Sequence, residues 1–318
     1  MSGNKAVIGV DVGGTGTKAG IVDPAGTMVA RVERPTDNSA GTKGIITVVE
    51  DLFRRASDLG YEVVAVGIGA AGFVDFARGS VTFSPNLQYD DPEIAAALRA
   101  RVNVPVVVDN DANAAAWGER RFGVARDMED MVLLTLGTGV GSGIIAGGRL
   151  VRGATGAGAE FGHIVIDPNG PLCGCGLRGC FEQFASGQAI ERMARDALKE
   201  DPQSSIAAFA DDPDRPTAKD VARAAREYDE TARAVLRAAG RYLGIGLSNA
   251  ANLFDPEAIV LSGSVVLAGE PYLGPARDVL VEMTGLQRRR PMRIDVSALG
   301  EDAGVIGAAA LALEEVGE

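Results

Sequence analysis

The sequence is short of the side chains that most often carry chemistry. Its 318 residues include one histidine, His163, and three cysteines, Cys173, Cys175 and Cys180. Basic residues are also few. Lys and Arg number 31 against 43 Asp and Glu, so the net charge is −12 and the pI is near 4.7. That balance argues against a surface built to neutralise a DNA or RNA backbone. It leaves room for a small anionic ligand, since backbone amides and one lysine can hold phosphate. No apolar run approaches the length of a membrane span. The opening MSGNKAVIGV lacks a positive region followed by an apolar core and a cleavage site. Three clustered cysteines fit a reducing compartment. A cytoplasmic protein is expected, with no membrane and no nucleic-acid partner.

Two familiar nucleotide signatures are missing as well. The run G-I-G-A-A-G at Gly67 to Gly72 has the spacing of a dinucleotide fingerprint. It is followed by FVDFARGSVTFSPN, which reads as loop and short strands, whereas that fingerprint needs a helix N-terminus under the pyrophosphate. The bend DVGGTGTK lacks the Gly-Lys-Ser/Thr of a Walker A loop, and its Lys18 leads into a strand.

What is present is concentrated. His163 and the three cysteines fall within eighteen positions, in EFGHIVIDPNGPLCGCGLRGCFE. One imidazole and three thiolates complete a tetrahedral Zn²⁺ shell, which predicts a structural metal with no open position. Gly174, Gly176 and Gly179 let the backbone turn between ligands. Buried thiols with a core histidine, or one disulfide with a cysteine left over, are the alternatives. Glu160 and Glu182 flank the segment, so a zinc knot would hold two carboxylates in fixed relation. That suits a polyhydroxylated ligand.

Taken in order, the chain alternates strands and helices. AVIGVDV, TKAGIVD and TMVARVER are read as strands, with the turn DPAG between the last two. The bend GGTGT can cradle phosphate, Lys18 can add a point charge, and Asp11 sits where Mg²⁺ would lie. Thr42 to Leu59 has helical periodicity. A buried strand, EVVAVGIGA, follows. Asn86 sits on a turn after Ser84-Pro85. VPVVV is a fully buried strand ending at Asp109-Asn110-Asp111, at the end of the sheet where open α/β folds place ligands. Asp111 also suits the N-cap of the helix that follows. MVLLTLGTGVGSGIIAGG repeats the opening strand–glycine bend–strand unit, so two similar lobes are expected, each offering one phosphate grip. Helices are expected over Phe181 to Lys199, Ala218 to Tyr228, Asp229 to Asn252, Pro275 to Thr284 and Ala303 to Val316. DPQSSIAAFADDPDRP reads as a surface loop, and ANLFDPEAIVLSGSVV as a strand with a glycine exit at Gly263 and Ser264. The class is α/β with mixed sheets.

These motifs together resemble the ROK family of repressors, open reading frames and sugar kinases, over almost the whole chain. DVGGTGTK resembles its first phosphate motif, LGTGVGSG its second, NLFDPEAIVLSGS its adenosine motif and VDNDANAAAWGE its catalytic segment. EFGH followed by CGCGLRGCFE resembles its zinc signature. The resemblance implies the two-lobed actin-like/sugar kinase/Hsp70 ATPase fold with a duplicated core. The small lobe would comprise residues 1–110 plus 301–318, and the large lobe 111–300. Within the family the chain resembles the bacterial glucokinases, so ATP-dependent phosphorylation of glucose at O6 is expected, as in glycolysis. The alternatives are a kinase for another hexose, such as mannose, fructose or an N-acetylhexosamine, and a non-catalytic sugar sensor.

The resemblance also implies roles. Asp111 would be the catalytic base. Asn86, Asn110, Asp111, Glu160, His163 and Glu182 would contact the sugar. Asp11, Thr15, Lys18, Thr138, Gly139, Gly263 and Ser264 would surround ATP and Mg²⁺. His163, Cys173, Cys175 and Cys180 would hold structural Zn²⁺. A homodimer or homotetramer is expected. The helix-turn-helix segment of ROK repressors is expected to be absent, because the first strand begins near residue 5.

Overall fold

The computed structural model describes residues 4–14, 16–36, 41–84, 87–285 and 290–317. The chain divides into two compact units. The first comprises Met1–Glu129, Gly143–Ala159 and Ser297–Glu318. The second comprises Asp130–Ser142 and Glu160–Val296.

The first unit is built on β1 (Asn4–Val12), β2 (Gly16–Val22), β3 (Met28–Pro35), β4 (Tyr61–Ala70) and β7 (Val106–Asn110), in the order β3-β2-β1-β4-β7. The first three strands are antiparallel, and β1, β4 and β7 are parallel. The register sets Asp11 opposite Gly69, and Gly69 opposite Asp109. The acidic residues that end β1 and β7 therefore share one end of the sheet. Helix α1 (Gly41–Asp58) covers the sheet with Ile45, Val48, Val49, Leu52 and Ala56, the stripe that a 3.6-residue period demands. A small hairpin, β5 (Phe73–Asp75) and β6 (Ser80–Phe83), follows β4 and precedes α2 (Ile94–Arg99). Helix α3 (Asp111–Phe122) leaves β7 directly.

The final helix α10 (Ala303–Glu315) is buried continuously from Ala303 to Leu313. It reaches that depth through glycine. A Cβ on Gly67 would strike the carbonyl of Ala308, and one on Gly307 would strike the carbonyl of Ala114. Backbone thus packs on backbone where α10 crosses β4 and α3.

The second five-stranded sheet has the order β10-β9-β8-β11-β12. Its strands are β8 (Met131–Leu136), β9 (Val140–Ala146), β10 (Arg149–Leu150), β11 (Ala258–Ser262) and β12 (Arg293–Val296). Each sheet thus has a first strand, its two successors on one side and two parallel crossover strands on the other. This is the duplication that the two glycine bends predict. The helices of the second unit are α4 (Glu182–Ala185), α5 (Gly187–Glu200), α6 (Ser205–Phe209), α7 (Ala218–Arg226), α8 (Glu230–Phe254) and α9 (Glu270–Met283).

Three readings change. The expected helix from Phe181 breaks at Ser186, whose hydroxyl caps α5 by accepting from Ala189 N at 3.2 Å. The expected surface loop before α7 contains α6, because Ile206 is buried. Helix α9 begins at Glu270, ahead of Pro275, with proline also in its first turn, where a missing N–H costs little.

Candidate active site and metal centre

In the first unit the chemistry gathers where β1, β4 and β7 end. Asn110 and Asp111 sit at the β7–α3 junction. The cap of α3 is Asn110, not Asp111. The Asn110 side-chain oxygen accepts from the amides of Ala112 at 2.9 Å and Asn113 at 3.1 Å. Its amide nitrogen donates to the Gly72 carbonyl at 3.2 Å. Asp111 accepts from the Ala112 amide as well, at 2.9 Å, but it is not needed as the cap. Burial pushes the Asp111 carboxyl above the ordinary carboxylate range, against the Ala112 amide, its own amide and the Asn110 side chain.

Asp11 is raised to about 7. Burial is the main cause, the charge of Asp111 adds to it, and Lys18 opposes it. Two carboxyls are therefore within electrostatic reach of each other and of one lysine. Tyr89, which the sequence does not single out, belongs to this group. Its phenol is pushed well up, first by burial and then by the charge of Asp111, and it donates to the Ala71 carbonyl at 3.4 Å. Lys18 meets Glu301 at 3.4 Å. That pair is exposed, and such pairs contribute little, so the ammonium stays available to a stronger anion. At the first glycine bend, Gly13 N donates to Gly16 O at 3.0 Å. Thr15 and Asn86 lie outside the described residues.

In the second unit, Glu160 precedes a single 3₁₀ turn, Phe161–His163. The Phe161 amide donates to the Ser142 hydroxyl at 3.1 Å. From there the chain enters the cysteine loop, which is closed by bridges between Val165 and Cys180 and between Leu172 and Arg178. Gly179 has a positive φ, and a Cβ there would strike the Asp167 carbonyl, so only glycine fits that turn.

The ligand atoms of His163, Cys173, Cys175 and Cys180 all lie within 4.8 Å of one another. Cys173 Sγ is 3.6 Å from His163 Nδ1, and Cys175 Sγ is 3.5 Å from Cys180 Sγ. Ligands 2.0–2.3 Å from a tetrahedral zinc stand roughly 3.3–3.8 Å apart, so the donor set fits the ion. Nδ1 is the ring nitrogen that meets the thiols, which leaves Nε2 for another partner. Burial, then Glu182, pushes the Cys173 thiol up. At Cys175 burial also raises, but the Leu177 amide and the other two thiols outweigh it, and that thiol lies below its ordinary value.

Glu182 joins the metal cluster to the second glycine bend. Its Oε1 is 3.0 Å from Cys173 Sγ and 3.9 Å from His163 Nδ1. Its Oε2 accepts from Val140 N at 3.5 Å and faces Gly139, where a Cβ would lie 2.7 Å from it. Around that bend, Gly187 N donates to Gly137 O at 2.8 Å and Gln188 N to Thr138 O at 3.3 Å. Gly263, at φ 95°, stacks its backbone on Leu136, and Ser264 opens the following 3₁₀ turn. Thr138, Gly139, Gly263 and Ser264 therefore stand at the ends of the adjacent strands β8 and β11. Gly139 and Gly263 leave the backbone there without side chains.

A duplicated actin-like/sugar-kinase core with a Cys₃His knot beside two acidic residues defines a class, and the comparisons agree. The sequence matches the ROK family over residues 7–315. A glucokinase of Streptomyces coelicolor is 42% identical over 96% of this chain and 97% of its own. A glucokinase of Thermotoga maritima is 36% identical, covering 98% of each. The crystal structure of a ROK family glucokinase from Streptomyces griseus, in complex with glucose and AMPPNP, superposes with a TM-score of 0.86. It is 41% identical and covers 97% of this chain and 99% of its own. The chain belongs to the ROK family.

Proposed function

We propose that this protein is an ATP-dependent hexokinase that phosphorylates glucose at O6, with Asp111 as the general base. The observation that carries the reading is the half-buried Asp111 carboxyl. It stands at a strand–helix junction already capped by Asn110, with its proton affinity raised, in the same unit as Asp11 and Lys18. A carboxyl with a structural duty alone would be the cap. The glucokinase relatives, and the relative solved with glucose and AMPPNP, support both the sugar and the phosphate donor.

A sugar hydroxyl is a poor nucleophile, and phosphoryl transfer depends on positioning and charge neutralisation. Asn110, Glu160, His163 and Glu182, with Asn86, would orient the sugar. Asp111 accepts the O6 proton as O6 bonds to the γ-phosphorus of ATP, while the bond from that phosphorus to the bridging oxygen breaks and ADP departs with its electron pair. Lys18 and the amides of the bends at Gly13 and Gly139 would bind phosphate, and Thr15, Thr138, Gly263 and Ser264 would contact the nucleotide. Asp11 is an oxygen donor of the kind Mg²⁺ selects, and Mg²⁺ there would neutralise phosphate charge. Zinc on His163, Cys173, Cys175 and Cys180 would hold Glu182 and the His163 ring in place. A cytoplasmic homodimer or homotetramer feeding glycolysis completes the proposal.

The test is a coupled assay of ADP release over glucose, mannose, fructose and N-acetylglucosamine, run on the wild type and on Asp111→Asn. Glucose should be the best acceptor. The variant should lose at least about a hundredfold in turnover, the scale of general-base removal, and should still bind glucose. Near-normal turnover would show that Asp111 is not the base. A better acceptor among the other sugars would replace glucose.

A further inference from the structure

Asp109 precedes the proposed catalytic pair and belongs to the core. It is 1% exposed. Its Oδ1 accepts from the Asn110 backbone amide at 2.8 Å and from the Asn113 side chain at 3.0 Å. Its Oδ2 accepts from Arg152 Nε at 2.8 Å. A carboxylate taken out of water requires such a partner, because an uncompensated buried charge is strongly destabilising.

Arg152 is itself fixed. Its guanidinium carbon lies 3.8 Å from the centre of the Phe76 ring, a cation–π stack. Its carbonyl accepts from Gly158 N at 3.0 Å. Gly156, in the same loop, lies so close to the Val74 carbonyl that a Cβ there would strike it. The loop that carries Arg152 is thus seated on the β5–β6 hairpin, whose lead-in Gly72 accepts from the Asn110 side chain.

Asn110 is consequently held at both ends. Its backbone is tied through Asp109 to Arg152, and its side chain to Gly72 and the first turn of α3. Asp111 is the next residue. We infer that Arg152 is a positioning residue for the phosphoryl-transfer reaction. Through Asp109 it sets the backbone angle at which β7 delivers Asp111 to the acceptor hydroxyl. The fork geometry of arginine matters here, since one face stacks on Phe76 while Nε meets the carboxylate edge-on. Lysine, a point charge on a flexible stem, reproduces the charge but not that geometry.

The inference rests on Asp111 being the base, and a double-mutant cycle separates the two. Turnover is measured for Arg152→Met, Arg152→Lys, Asp111→Asn and the pair Arg152→Met with Asp111→Asn, alongside glucose and ATP binding and circular dichroism. A misplaced base costs turnover more than binding. Arg152→Met should lose about ten- to a hundredfold in kcat, with each KM within about threefold of wild type. Arg152→Lys should recover part of that loss. In the Asp111→Asn background, Arg152→Met should cost less than about threefold further, because the group it positions is gone. If Arg152→Met does not fold, Arg152→Lys takes its place in the cycle, with a smaller loss that must also vanish beside Asp111→Asn. Full kcat in Arg152→Met, or a loss of equal size in both backgrounds, overturns the inference and leaves the base assignment intact. Retained turnover in Asp111→Asn alone overturns the base assignment, and the inference with it.

Discussion

Asp11 makes the resting protein less stable as pH rises, and the size of that effect follows from its surroundings. Its carboxyl is raised from 3.8 to about 7, chiefly by burial and next by Asp111. The folded state therefore holds a proton that the unfolded chain releases near pH 4. Where the folded state binds more protons, stability falls with rising pH. The neutral carboxyl favours the fold fully below pH 3.8, and the advantage is gone above about pH 7. At 1.36 kcal/mol per pH unit the whole difference is about 4 kcal/mol. Between pH 5 and pH 8 about 2.5 kcal/mol of it is lost.

Asp11→Asn removes the titration while keeping shape and polarity. Urea unfolding of both proteins, without magnesium or nucleotide, gives the comparison. Trp117, the sole tryptophan, is 6% exposed in α3, so its emission reports on the unit that carries Asp11. From pH 5 to pH 8 the wild type should lose about 2.5 kcal/mol more than the variant, and at pH 8 the variant should be the more stable. Groups beyond reach of Asp11 titrate alike in both and cancel. Parallel pH profiles would refute the reasoning, since they would mean that Asp11 ionises in the fold as easily as in water.

Cys175→Ala should strip zinc and weaken glucose binding by at least about tenfold; elemental analysis and a glucose titration check both, and a variant that retains one zinc per chain would remove Cys175 from the ligand set. Gly139→Val should weaken ATP and glucose together, because the new side chain meets the bend and Glu182 at once. Calorimetry on the folded variant reads each affinity, and unchanged glucose affinity would separate Glu182 from the sugar. Ala159 has φ 62° just before Glu160, a conformation that costs an L-residue about 1–2 kcal/mol. Ala159→Gly should therefore stabilise the protein by about 0.5 kcal/mol after the extra entropy of glycine in the unfolded chain. Thermal unfolding gives the sign, and a destabilised variant would show that the methyl group packs usefully.

Local signals made part of this molecule readable from its residues. The four residues proposed to hold zinc are close in sequence, and their grouping is visible without tertiary information: one histidine and three cysteines with glycines between them. The duplicated core was also legible, because each bend lies between two apolar strands. Residues that act at long range were hidden. Arg152 reads as an ordinary surface arginine until the fold brings it 43 positions back to Asp109. Tyr89 carries no motif, and its nearness to Asp111 depends on how the segment after β6 returns to the sheet. Gly67 in its strand and Gly307 in its helix carry no signal of their own, yet they are the points where backbone meets backbone.

The cap of α3 shows most clearly where sequence rules stop. Asn and Asp compete closely for an N-cap, and Asn110-Asp111 offers both at once. Propensity cannot choose between them. The choice is made by β7, whose last hydrogen bonds carry the chain to Asn110 before the helical turn can start. The side chain that caps must be the one still extended, and Asn110 has ψ 146°. Asp111 is then the first helical residue, with a half-buried carboxyl that is raised rather than spent on the cap. A one-residue shift in where the strand ends would exchange these duties, making Asp111 the cap and placing an alanine where Asp111 now stands. The proposed reaction therefore depends on the β7 register as much as on the presence of Asp111. That register is held by parallel pairing to β4 and by the buried Asp109–Arg152 pair.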